Sequence, residues 1–203
     1  MLTVNNTVFQ RLIRHILKWE GRTSSDQRDT AAKCFPGGIH TNKGVTFCTF
    51  KELAARVGIS PVTHKRFLAL TDAEVNLFIY EFYKMVNGAA LSPFLSIAAT
   101  EAAWASGASR ANAQLRETAR SLGLPGRTTA EAIKNLSTVP DAKAFAAFQR
   151  IRETFYRNLG ARPLYSWALR GWLNRLNDFN RKFRPVALFP FFFSIASALF
   201  GIS

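Results

Sequence analysis

The chain reads as a mainly α-helical protein carrying one short β-hairpin and loop region near residues 24–48. Three observations predict this class. Apolar residues recur at helical spacing over most of the chain, helix-start signals of the Thr-x-x-Glu and Ser-Pro kinds repeat along it, and the helical pattern breaks once, where Ser, Asp, Gly, Pro and Thr crowd together.

Taken in order, the pairs Val8/Phe9, Leu12/Ile13 and Ile16/Leu17 mark an amphipathic first helix. Glu20 extends its Phe9, Ile13, Ile16 stripe by one turn before Gly21 stops the helix. A carboxyl group held on that apolar face, beside Ile16, Leu17 and Trp19, has its charged form disfavoured, as a general acid needs, whereas periodicity alone favours a helix-end Glu whose side chain turns outward to water. From Asp26 to Thr46 the composition suits a loop and a short hairpin. Here Gly37 and Gly38 are expected to take positive φ, while Thr41, Asn42 and Thr46 offer hydroxyl and amide groups.

The runs Thr49-Phe50-Lys51-Glu52, Thr71-Asp72-Ala73-Glu74 and Thr128-Thr129-Ala130-Glu131 read as capping boxes, in which the Thr hydroxyl and the Glu carboxylate each satisfy a free backbone N–H. Ser92-Pro93 opens another helix, since proline at the first helical position gives up only a hydrogen bond that is missing there anyway. Phe94 to Trp104 carries Glu101 as its one charge, which predicts a central, buried helix. Phe145, Phe148, Ile151, Phe155 and Leu159 define a later amphipathic helix, and Trp167 to Leu176 a final one after Pro163.

At 203 residues the chain is long enough for one sizeable shared core. Lys and Arg number 27 against 13 Asp and Glu, a formal net charge of +14, which steers the protein toward anionic polymers or membrane surfaces. The basic residues, among them Arg11, Arg14, Lys18, Arg150, Arg152 and Arg175, are scattered, and no recognition motif for nucleic acid accompanies them. His15, His40 and His64 fall in no metal-ligand pattern, and Cys34, His40 and Cys48 lack zinc spacing, so neither a metal nor a cofactor is expected. Free thiols are the default for the two cysteines, with a Cys34–Cys48 pairing across a hairpin as the alternative.

No basic-then-apolar signal pattern opens the chain, so the expectation is synthesis in the cytoplasm and, for any action outside it, export by another route. At the other end Val186 to Ser203 is free of charge and follows Arg181, Lys182 and Arg184. It is close to the roughly 20 residues of a bilayer span, but Pro190 and the basic residues before it put a spanning anchor below a tail that docks on the body, lies on a membrane or stays disordered.

Trp19-Glu20-Gly21, Ser24-Ser25-Asp26, Asp29 and the run Gly37-Gly38-Ile39-His40-Thr41-Asn42-Lys43-Gly44-Val45-Thr46 together resemble the active-site signature of glycoside hydrolase family 108. Trp104-Ala105-Ser106-Gly107 and Arg170-Gly171-Trp172-Leu173-Asn174-Arg175-Leu176-Asn177-Asp178 resemble later motifs of the same muramidases. Arg22 and Thr23 replace the usual glycine and aromatic, Thr30 to Pro36 lengthens the loop, and Glu101 stands where relatives usually carry Asp.

The resemblance implies a lysozyme-like fold and a peptidoglycan hydrolase that cleaves the β-1,4 bond between N-acetylmuramic acid and N-acetylglucosamine. Glu20 is then the general acid, with Asp29 first and Asp26 next as the second carboxylate. Gly37, Gly38, Thr41, Asn42, Thr46, Glu101 and Trp104 are the substrate-binding candidates. It further implies a catalytic part over 1–107 and a helical part over 108–183 on the same core, where a peptidoglycan-binding pattern survives only as Leu115-Arg116 and Gly126-Arg127-Thr128-Thr129, before the tail 184–203. Bacterial peptidoglycan is the expected partner. The competing readings are a wall-binding protein without catalysis and a cationic membrane-active protein.

Overall fold

The computed structural model describes residues 6–21 and 23–185. Helix α1 (Thr7–Trp19) is capped by the Asn6 side chain and turns Phe9, Leu12, Ile13 and Ile16 inward. It ends one residue earlier than its stripe suggests. Glu20 is the C-cap, in extended conformation at φ −91° and ψ 127°, so its side chain leaves from the helix end and not from the helix face.

Strands β1 (Thr23–Ser24), β2 (Thr41–Asn42) and β3 (Val45–Thr46) form a three-stranded antiparallel sheet in the order β1-β2-β3. The β2–β3 loop is Lys43-Gly44, with φ of 50° and 80°. Two consecutive positive φ values in a two-residue loop make a type I′ turn, whose twist matches that of the strands. A 3-10 turn over Thr30–Cys34, capped by Asp29, bridges β1 and β2.

Helix α2 (Phe47–Leu53) starts before the expected Thr49. Thr46 is its N-cap, because strand pairing ends there and its hydroxyl accepts from the Thr49 N–H at 3.1 Å. A disulfide joins Cys34 to Cys48, with a Cα separation of 5.2 Å. This corrects the expectation of free thiols, and the bond ties the 3-10 turn to α2 and does not cross a hairpin.

Helices α3 (His64–Leu68), α4 (Asp72–Met85) and α5 (Pro93–Ser106) follow. Thr71 and Glu74 complete the expected capping box of α4, and Pro93 opens α5. Helix α5 is the buried centre, packed on α1, α4, α6 (Ala108–Ser121) and α8 (Asp141–Gly160). The small helix α7 (Thr129–Leu136) has Thr128 as its cap, but the Glu131 carboxylate accepts from the Arg127 N–H, so the box is only half formed. The final helix is longer than its apolar stripe: a 3-10 turn over Pro163–Ala168 leads into α9 (Leu169–Phe183).

Helix α9 returns to α1. Asp178 accepts from Trp19 Nε1 at 2.8 Å and from Lys18 Nζ at 3.0 Å, fastening the last turn of α1 to α9. Burial opposes charge on Asp178, but the bonds from Lys18, Trp19 and Lys182 outweigh it and hold the carboxyl well below the ordinary range. No helix among the described residues is long and apolar enough to cross a membrane, and the tail Val186–Ser203 lies outside them.

Candidate active site

Because α1 stops at Trp19 and Asp178 fixes that end, Glu20 projects into a cleft of about 640 Å³, within the usual range of ligand sites. One wall is polar and comes from the loop and hairpin: Asp29, Thr41, Gly44, Thr46 and Thr49. The other is aromatic and comes from α5, α8, the 3-10 turn before α9 and α9 itself: Trp104, Phe155, Tyr156, Tyr165, Trp167 and Trp172.

Glu20 Oε1 accepts two hydrogen bonds, from Trp104 Nε1 at 2.9 Å and from Arg175 Nη1 at 2.5 Å. The acid expected among apolar neighbours is therefore ion-paired and aimed by two donors. Arg175 is itself shared, its Nε donating to Glu101 Oε1 at 2.6 Å, while Arg152 donates to the other Glu101 oxygen. Burial would push the Glu101 carboxyl up, but the Arg152 and Arg175 guanidiniums outweigh burial and hold it down to about 2. The four groups sum to zero charge when all are ionised. Glu101 offsets the Arg175 charge, so Glu20 is not left alone against an unopposed cation.

Glu101 has no exposed surface. It cannot touch a glycan and stands behind the site, which changes its expected role from substrate contact to support of Arg175. Asn42 is likewise buried, its amide donating to the Phe67 carbonyl at 2.8 Å, and anchors the hairpin to α3. It borders a second hollow of about 480 Å³ on the far side of Glu20, with Lys43 and Asp72.

Gly37 and Gly38 do not line the cleft. Gly37 has the expected positive φ of 75°, but Gly38 does not; a Cβ at Gly38 would meet the Phe35 ring at 2.5 Å, so packing and not backbone conformation calls for glycine there. Thr41 and Thr46 line the polar wall, the first also bonded to His40 and the second engaged as the α2 cap.

The two second-carboxylate candidates part company. Asp29 lines the cleft, with its Oδ1 accepting from the Ala31 N–H at 2.9 Å. Asp26 is outside the lining and is clamped by Arg28, which donates from Nε at 3.0 Å and from Nη2 at 2.6 Å. Those hydrogen bonds lower the Asp26 carboxyl to about 2.

Two groups at the site escaped the sequence reading. Arg175 stands in the Arg170–Asp178 motif, but nothing local marks it as the partner of Glu20, 155 positions away. Gly44 has a local signal: it sits at the second position of a two-residue hairpin loop, and a Cβ there would meet Glu20 Cδ at 2.6 Å. Only glycine combines that φ with so close an approach to the carboxyl group.

Residues 13–107, which contain Glu20, the hairpin and Trp104, match the family model described as Glycosyl hydrolase 108. The solved structure of Brucella abortus SagA is similar in fold, with a TM-score of 0.65 at 21% identity, covering 88% of this chain and 97% of that one. No curated protein matches the chain. Residues 13–107, a little under half of the chain, thus resemble glycosyl hydrolase 108, a match that supports a glycoside hydrolase of the muramidase kind acting on peptidoglycan.

Proposed function

We propose that the chain cleaves the β-1,4 bond between N-acetylmuramic acid and N-acetylglucosamine, with Glu20 as the general acid. The observation that carries this reading is the setting of Glu20: a carboxyl group in a cleft, held by Trp104 and Arg175 and facing a wall that includes Asp29. Protonated Glu20 gives its proton to the glycosidic oxygen, and the carboxylate left behind is the form that both donors stabilise. Asp29 serves as the second carboxylate, steadying positive charge at the anomeric carbon or orienting water. Asp26 is the weaker candidate, because Arg28 already occupies both its oxygens.

Product analysis tests the bond assignment. Sacculi digested by the protein and then reduced with borohydride should yield reduced N-acetylmuramic acid at the new ends. Reduced N-acetylglucosamine in its place would assign the other glycosidic bond. Asp29→Asn should lower kcat more than it raises KM, and unchanged kinetics would remove Asp29 from the mechanism.

The division into a catalytic part over 1–107 and a helical part over 108–183 is part of the same reading, supported by the location of Glu20 and the hairpin in the first part and of Arg175 in the second. Helix α5 packs on both α6 and α8, so the two parts share one core. Membrane contact by Val186–Ser203 rests on the absence of charge in that run. Loss of vesicle binding on deletion of that run is the expected result, and retained binding would transfer the role to the basic surface.

A further inference from the structure

Apart from Trp104, the aromatic wall described above is furnished by the part of the chain outside residues 13–107, and Trp167 is its most exposed member. It is 51% exposed, the only aromatic residue among the large exposed hydrophobic ones in the described structure. Its ring is nonetheless fixed: Nε1 donates to the Leu164 carbonyl at 3.1 Å, within the 3-10 turn Pro163–Ala168. Behind it Trp172 stacks on the buried Tyr156 at 5.7 Å between centroids and meets Tyr165 at 6.4 Å. The guanidinium of Arg28, from the opposite wall, lies over the Trp167 ring at 4.6 Å. A flat group is thus already seated on that ring.

We propose that Trp167 is a sugar-stacking subsite, holding the apolar C–H face of an N-acetylated pyranose of the glycan strand. The reading rests on the glycan-cleaving function argued above. A pyranose has one face of C–H groups and an edge of hydroxyl and amide groups, and this cleft has the matching asymmetry. Trp167 offers an apolar plate, while Thr41, Thr46 and Asp29 offer donors and acceptors on the opposite wall. Arg28 holds the plate when no glycan is bound and is displaced from it by the sugar, because both use the same ring face. An exposed, oriented indole costs the protein apolar surface in water, and a stacking partner recovers it.

The test is binding of soluble, peptide-free glycan strands to the full-length chain in a Glu20→Gln background, where cleavage is not expected to interfere. Trp167→Ala should weaken binding about tenfold, equivalent to about 1.4 kcal/mol. Trp167→Phe, which keeps a ring, should stay within about threefold of the parent, taking a typical stacking contribution as the scale. Arg28→Ala removes the tie between the walls but leaves the indole, and should retain or tighten binding. Unchanged binding in Trp167→Ala, a Phe variant as weak as the Ala variant, or equal weakening by Arg28→Ala would overturn the stacking role. If Glu20→Gln still cleaves the strands, the general-acid assignment fails by itself. The subsite is then read from half-saturation in the parent background, where Trp167→Ala should raise KM.

Discussion

Replacing His15 with leucine isolates a proton-linked term in the stability of this fold. His15 is buried on α1, 1% exposed, with its ring edge-on to Phe179 and Phe183 of α9. Neither ring nitrogen has a hydrogen-bond partner, and Asp178 is 3.6 Å from Nδ1. Desolvation lowers its pKa from 6.5 to about 4; Arg175 and Lys182 act in the same direction, and Glu101 and Asp178 oppose them.

The folded state therefore keeps His15 neutral where the unfolded chain takes up a proton. The stability this supplies is complete above the unfolded value of 6.5 and is lost as pH falls toward the folded value near 4. At about 1.36 kcal/mol per unit, the full span is worth about 3 kcal/mol, of which roughly 2 kcal/mol should go between about pH 7 and pH 5. Native carboxylates such as Glu101 and Asp178 lose their contribution at lower pH, as the unfolded chain begins to protonate below about 4.5. Urea unfolding of the parent and of His15→Leu at the two pH values reads the difference directly. The parent should lose about 2 kcal/mol and the variant much less. Equal losses in both would place the proton uptake elsewhere and refute the argument.

Glu101→Gln removes the anion that both Arg152 and Arg175 use, leaving buried guanidinium charge without its partner. Unfolding should become easier by about 3–5 kcal/mol, and a loss below about 1 kcal/mol would show that the pair is not what balances the core. Gly44→Ala forces a Cβ to within 2.6 Å of Glu20 Cδ at a φ of 80°. The backbone strain costs about 1–3 kcal/mol and the displaced carboxyl should lower kcat. A variant with parental kcat would separate the hairpin turn from the placement of Glu20.

The helices read from the sequence are those with an apolar stripe or a start signal, and α5 stands out because Glu101 is its only charge between Phe94 and Trp104, whereas α3 and α6 carry no such signal in that reading. Local chemistry also marked the starts of α4 and α5, through Thr71 with Glu74 and through Pro93. It misled at α2, where Thr49 with Glu52 looks like a box. There the pairing of Asn42 with Val45 and Thr41 with Thr46 ends the sheet at Thr46, and that non-local fact sets the helix start. The Cys34–Cys48 bond depends on how a 3-10 turn lies against α2, which spacing alone does not express.

At the site, Glu20, Asp29 and Trp104 were picked out, and the structure brings them to one cleft. Glu101 was noticed for its charge on an apolar helix, yet its burial and its two arginines come from α8 and α9, far along the chain. Trp167 looked like one more core aromatic, because nothing in Pro163–Ala168 shows which side of that turn faces water.

The central claim is that the Glu20 carboxyl group supplies the proton for glycosidic cleavage. Glu20→Gln keeps the shape of the side chain and a carbonyl oxygen to accept from Trp104 and Arg175, but removes the acid. Release of reducing ends from purified sacculi measures the consequence. The account predicts unfolding behaviour close to the parent and a fall in kcat of about 100-fold or more, the scale of a lost general acid. A folded Glu20→Gln protein that releases reducing ends at a rate near that of the parent would contradict it.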